Sequence, residues 1–330
     1  MVHQRVETLG KVRGLRLEDS REMNSFPAVI LCPGQGAQAV GMGKAWHEAS
    51  EAARRIFAQA DEALGESLDR PLSEICFNGP ADLLNRTDIA QAAIYVCSVA
   101  CHRGLVERNG QLPLKATAGL SLGEYTALCL AGVFDFVPGL RLVARRGRLM
   151  QEAAQRCQSG MVAVAGADQE QAQTICDEAR GRDVLVCANV NAPGQIVLSG
   201  HVDACQRATD AARRRGLRAT PLAVAGAFHS PLMQSAADGM ATALGHMSFQ
   251  PPKVRVWSNV TAQPHHPQDM ELLKRRLVEQ IVSPVRWFEI CLELAGGDTM
   301  SYHELAPGAV LRGLMRRIDR NVKVINHDQP

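Results

Sequence analysis

The sequence predicts an α/β body carrying a small ferredoxin-like insertion, and three stretches predict it. "FPAVILCPGQGAQ" (26–38) is an apolar run that breaks at Pro33-Gly34-Gln35-Gly36, the mark of a buried strand entering a tight loop. "PLKATAGL" runs as a short strand into Gly119-Leu120-Ser121-Leu122-Gly123, after which "GEYTALCLAG" turns helical. Between residues 158 and 226 the segments alternate as βαββαβ, the ferredoxin-like order. The expected domains are therefore a body built from 26–157 and 227–325, a small domain over 158–226, and a disordered extension over 1–25.

Taken in order, the strand of the opening apolar run is followed by helical patterns in "AWHEASEAARRIFAQADEAL" and "NRTDIAQAAIYVCSVACHRGLVE", the second with Thr87 as its expected cap. Gly132 is placed to stop the helix that begins after Ser121, and "FVPGLRLVARRGRLMQEAAQ" makes a long helix beyond it. Within the small domain, "MVAVAGA", "VLVCANV", "GQIVLSG" and "LRATPLAV" read as strands. "DQEQAQTICDEAR" and "HVDACQRATDAARRRG" read as helices, with His201 leading into the second as its cap. Helices resume beyond residue 229, with further strands expected at "KVRVWSNV" and "SYHELAP". An insertion placed this way leaves a cleft between the two parts, where sites tend to form.

Bulk properties narrow the function classes. A net charge of +2 on 330 residues gives no reason to expect nucleic acid as a partner. The basic clusters at Arg145–Arg148, Arg213–Arg215, Lys274–Arg276 and Arg316–Arg317 read as solvated helix faces, any of which could meet an acidic partner. Ten cysteines are scattered without a C-x-x-C pair, and Cys97 and Cys101, one helical turn apart, read as buried small hydrophobes. Their apolar run is roughly half the length that crosses a bilayer, so no membrane association is expected. The first residues mix arginines with Glu7, Glu18, Asp19 and Glu22, unlike a transit peptide, which makes the cytoplasm the expected compartment.

The chemistry centres on Ser121. In G-x-S-x-G, a serine is lifted onto a sharp strand-to-helix turn, and flanking residues without side chains let the backbone segments approach. The helix that follows aims free N–H groups and a partial positive charge at an oxyanion formed beside the serine. A serine hydroxyl needs a base. His229, in "AVAGAFHSPLM", ends an apolar stretch where the chain leaves the small domain, beside the expected cleft. A histidine on such a border is also compatible with a plain core role. His265 and His266 fall in a polar proline-flanked loop, and His3 and His327 near the termini. Arg146, in "RRGRLMQ", is either a solvated helix residue or a guanidinium able to hold a carboxylate through two parallel hydrogen bonds.

"PGQGAQAVGMG", "GLSLGEYTAL", "RRGRLMQEA", "NAPGQIVLSG", "AGAFHSPLM", "VEQIVSPVRW" and "ELAPGAVLRGLMRR" stand in the order found in the malonyl-CoA:acyl carrier protein transacylase family, which the chain resembles from about residue 26 to 320. The resemblance implies an α/β-hydrolase-like large domain with an inserted ferredoxin-like small domain. It implies Ser121 as the nucleophile that becomes malonylated and His229 as its base and then the acid. The main-chain N–H groups of Gln35 and Leu122 become the oxyanion hole, Arg146 the holder of the malonyl carboxylate, and Gln280 the main-chain carbonyl that orients the histidine. Phe228, before His229, is tied by the resemblance to malonyl over methylmalonyl choice. The implied partners are malonyl-CoA and acyl carrier protein, the implied state is a monomer, and no metal or redox cofactor is expected. The chain departs from the family's frequent G-H-S-x-G by carrying Leu120. Two rivals remain from the residues alone: an acyl hydrolase using the same dyad, and a non-catalytic protein that docks carrier proteins. A general esterase would need an acid between serine and histidine, and Asp168 and Asp177 fall in the small domain.

Overall fold

A strand with apolar side chains on both faces is stable only when covered on both, as in a parallel sheet between helical layers. The computed structural model, which describes residues 26–297 and 299–330, places β1 (Ala28–Cys32) fully buried at the centre of such a sheet. The extension expected over 1–25 lies outside the described residues. From β1 the chain forms α1 (Lys44–Ala49), α2 (Glu51–Leu64), α3 (Leu72–Asn78), α4 (Ala81–Leu84) and α5 (Thr87–Asn109). It then returns through β2 (Leu114–Gly119) to α6 (Gly123–Leu130) and α7 (Phe136–Ala154).

Helix α5 is long and apolar enough to cross a membrane by length and composition, yet 83% of its most apolar window is buried inside the protein. A helix apolar all round belongs in a core. Cys97 and Cys101 are both buried on it, and all ten cysteines of the chain are free. Its cap is not Thr87: the N-cap position is Arg86, Thr87 is the first helical residue, and no side chain caps the turn.

The small unit comprises β3 (Ser159–Ala165), α8 (Gln169–Arg180), β4 (Leu185–Ala192), β5 (Gln195–His201), α9 (Val202–Arg214) and β6 (Arg218–Pro221). Its antiparallel sheet runs β4-β5-β3-β6, the ferredoxin-like arrangement. Side chains alternate across the sheet. Val162, Val164, Ile196 and Leu198 meet the two helices, while Met161 and Val197 join the core of the large body. Asp168 heads α8 in a reciprocal capping box with Gln171. His201 does occupy the N-cap position of α9, but its side chain does not cap: Nδ1 accepts from Val184 N–H at 2.9 Å instead. Backbone bonds from Val190 N–H to Val285 (3.0 Å) and from Val285 N–H to Ala188 (2.8 Å) tie β4 to the body.

Beyond the small unit come α10 (Gln234–Gly245), β7 (Arg255–Val256), α11 (Met270–Glu279), α12 (Trp287–Ala295), β8 (Ser301–Leu305), α13 (Val310–Ile318) and β9 (Val324–His327). The large sheet is parallel throughout, in the order β7-β2-β1-β8-β9. Only two residues of "KVRVWSNV" pair as a strand, because the chain turns at Ser258, whose N–H bonds back to Gln263 at 2.9 Å. That early turn brings Asn259 to the end of β2, where the site is built.

Candidate active site

Ser121 occupies the break between β2 and α6 with φ +52, a left-handed conformation that costs a non-glycine residue energy and persists where the surroundings enforce it. The enforcement is visible. A Cβ on Gly119 would lie 1.9 Å from the Gly123 carbonyl carbon, and one on Gly123 would lie 2.1 Å from the Cys32 oxygen. Asn259 clamps the turn from the other side: its Oδ1 accepts from Ser121 N–H at 2.6 Å, and its Nδ2 donates to Gly119 O at 2.8 Å.

His229 is also left-handed, with φ +58, and is 4% exposed. Its Nδ1 lies 2.7 Å from the main-chain carbonyl of Gln280, which can only accept, so Nδ1 carries the proton. Nε2 is then an open lone pair, 2.8 Å from Ser121 Oγ. Burial, reinforced by the Arg146 charge, pulls the histidine down to about 4. At neutral pH the imidazole is uncharged and able to take the serine proton, with a main-chain carbonyl where a triad has its acid.

Arg146 projects inward from α7 and is 1% exposed. Nη1 donates to Gln91 Oε1 at 2.6 Å, and Nη2 donates to Gln280 Oε1 at 2.8 Å and to Ser121 Oγ at 3.1 Å. The guanidinium lies 5.2 Å from the centroid of the Tyr125 ring. Nε is buried without a hydrogen-bond partner. All three acceptors are neutral, and among the described residues no carboxylate stands within ion-pairing distance. Burial accordingly pulls this guanidinium below its usual range, opposed by Tyr125 and Glu124.

Around these groups lies a cleft of about 310 Å³ between the two domains. The body contributes Gln35, Gln91, Leu120, Phe228 and the dyad; the small sheet contributes Asn189, Asn191 and Val197. The backbone N–H groups of Gln35 and Leu122, expected to form the oxyanion hole, meet no acceptor among the described residues. Phe228 is buried, its carbonyl held by Ser199 Oγ at 2.7 Å. Leu120 lines the cleft through an apolar side chain where a histidine would supply a polar one.

Sequence reading missed four residues at this site. Glu124, fully buried, accepts from His265 Nε2 (2.7 Å), Gln280 Nε2 (2.6 Å) and Asn259 N–H (3.1 Å). His265 lies in the expected loop but is buried there, Asn259 braces the serine turn, and Gln91 holds Arg146. A lone acid inside the apolar run "GEYTALCLAG" was the available signal for Glu124; the other three have no local mark.

A serine on a strained elbow with a neutral histidine at hydrogen-bond distance is the apparatus of serine acyl chemistry, and likeness to known proteins places it among acyltransferases. Residues 29–325 match the family model described as the acyl transferase domain. The chain is 38% identical over 303 residues to the malonyl CoA-acyl carrier protein transacylase of Bacillus subtilis (strain 168), covering 91% of this chain and 93% of the relative. Its structure superposes on the acyl-carrier-protein-S-malonyltransferase of Bartonella henselae with TM-score 0.87 at 38% identity, over 92% of this chain and 96% of that one. The malonyl-transacylase solved in complex with a type II polyketide acyl-carrier protein gives TM-score 0.87 at 36% identity, over 92% and 96%. The chain belongs to the malonyl-CoA:acyl carrier protein transacylase family.

Proposed function

We propose that this protein transfers the malonyl group of malonyl-CoA to the phosphopantetheine thiol of an acyl carrier protein through a malonyl ester on Ser121. The observation that carries the reading is Arg146: a buried guanidinium with only neutral partners, bonded to the nucleophile's own oxygen. A dry, uncompensated cation is costly unless an anion completes it. A carboxylate on the acyl group does so and excludes plain acyl chains, which would leave the charge bare.

In the first half-reaction Ser121 Oγ attacks the thioester carbonyl as its proton passes to His229 Nε2. The Gln35 and Leu122 N–H groups hold the resulting oxyanion. The C–S bond breaks, the proton on Nε2 goes to the departing coenzyme A sulfur, and malonyl-Ser121 remains. In the second, the carrier thiol loses its proton to His229 and attacks the ester. The C–O bond breaks, and Ser121 Oγ recovers the proton. During the attack the Gln280 carbonyl, 2.7 Å from Nδ1, stabilises the imidazolium. Phe228 narrows the cleft near the acyl group and leaves little room for a methyl branch.

The resemblance to a malonyl-transacylase that engages a carrier protein supports the acceptor. Incubation with malonyl-CoA and holo carrier protein tests the whole reaction by mass. Malonyl on the carrier, made in step with coenzyme A release, is the expected result. Free malonate with an unloaded carrier would mean a hydrolase, and no coenzyme A release at all would leave a docking protein.

A further inference from the structure

Carboxylates accept hydrogen bonds and donate none. A glutamine amide has two ends of nearly the same shape, so its neighbours decide which way it faces. The Gln280 amide lies between acceptors and a donor. On one side are the Glu124 carboxylate (2.6 Å from Nε2) and the Ser121 main-chain carbonyl (3.0 Å from Nε2). On the other is Arg146 Nη2, 2.8 Å from Oε1 and able only to donate. The amide can satisfy both sides in one orientation alone. Glu124 is itself fixed: fully buried, it takes His265 Nε2 on Oε1 and the Asn259 N–H on Oε2, and Asn259 in turn holds the Ser121 turn.

We infer that Glu124 is a positioning residue for acyl-group selection: through the Gln280 amide it turns an acceptor toward Arg146 and so sets the guanidinium in the pose that receives the substrate carboxylate. The bond that orients His229 does not run through the Glu124 and Gln280 side chains. His229 is held by the main-chain carbonyl of Gln280, which no side-chain substitution removes. Loss of the Glu124 carboxylate therefore lowers malonyl transfer more than transfer of an acetyl group, which has no carboxylate to place, while its contact with Asn259 at the Ser121 turn bears on both. The inference rests on the proposed reading of Arg146 as the carboxylate holder.

The experiment is the ratio of Ser121 acylation rates with malonyl-CoA and acetyl-CoA in wild type and Glu124→Gln. Glutamine keeps the size of the side chain but can present an N–H to Gln280. The ratio is expected to fall about ten- to a hundredfold, the size of one hydrogen bond to a charged group, with malonyl acylation losing more than acetyl acylation. Gln280→Met, which keeps the main-chain carbonyl and removes the amide, is expected to give the same split, and carries the test alone if Glu124→Gln does not fold. An unchanged ratio in the folded variant, or equal losses with both substrates, overturns the inference. Wild type without any malonyl preference would instead overturn the reading of Arg146, and so distinguishes the two failures.

Discussion

His229 and Arg146 share one neighbour, Ser121 Oγ, and the reading divides their tasks: the histidine moves protons, and the arginine chooses the acyl group. Each task has its own signature. Arg146→Ala is expected to lower malonyl transfer by about a hundredfold or more, the worth of a desolvated bidentate contact, and acetyl transfer far less. Steady-state kcat/KM with the two thioesters measures this, and an equal loss for both would remove the carboxylate role. His229→Ala is expected to slow acylation of Ser121 by about two to four orders of magnitude in rapid-quench kinetics, and unchanged acylation would disqualify it as the base. The pH dependence follows from its environment. Protonation abolishes the base, and burial holds that step at about 4, below the ordinary 6.5. Acylation should therefore stay level from about pH 8 to about pH 5, and an inflection near the ordinary histidine value would contradict the description.

At the scale of elements, the strand–turn–helix from β2 to α6 positions everything else. The G-x-S-x-G spacing made this turn legible, because glycine at both flanks has a steric reason that survives in the structure: either Cβ would collide with backbone. Gly119→Ala is expected to cost about 3 kcal/mol or more of stability by chemical denaturation, since backbone cannot yield as a side chain can. The strand order of the small unit was legible for a similar reason, its alternation between helix-facing and cleft-facing positions being local. What was not legible is contact between distant segments. His265 looked like a loop residue because proline and polar neighbours surround it in the chain, yet folding buries it against Glu124, far away in sequence. Asn259 falls inside an expected strand that ends early, and nothing local marks the turn. Thr87 looked like a cap, but the helix starts one residue sooner and Thr87 instead accepts from Gln35 Nε2 at 3.3 Å.

Over the whole molecule, two lobes meet at one cleft. The body supplies the chemistry, and the open face of the small sheet closes the cleft over it. The same close packing makes the fold sensitive to acid. His229, His303 and His327 are all buried, and each is pulled from 6.5 to about 4, chiefly by loss of water. His303 Nδ1 and His327 Nε2 lie 2.9 Å apart, so one ring donates to the other and a second proton would repel. The sign is set by the lowered values. The unfolded chain binds these protons below about pH 6.5 while the folded chain refuses them until about 4. Stability is full above 6.5 and falls through that window by about 1 kcal/mol per pH unit for each histidine. Melting temperatures across pH 7 to 4 check this, and the fall should shrink in His303→Gln.

Acylation of Ser121 is the central claim, and intact-protein mass spectrometry after brief exposure to malonyl-CoA or acetyl-CoA tests it most directly, on wild type and Ser121→Ala. The account predicts a malonyl adduct on wild type only, much weaker labelling by acetyl-CoA, and loss of the adduct when holo carrier protein is added. Equal labelling of Ser121→Ala, or release of free malonate with no adduct at any time, would contradict it.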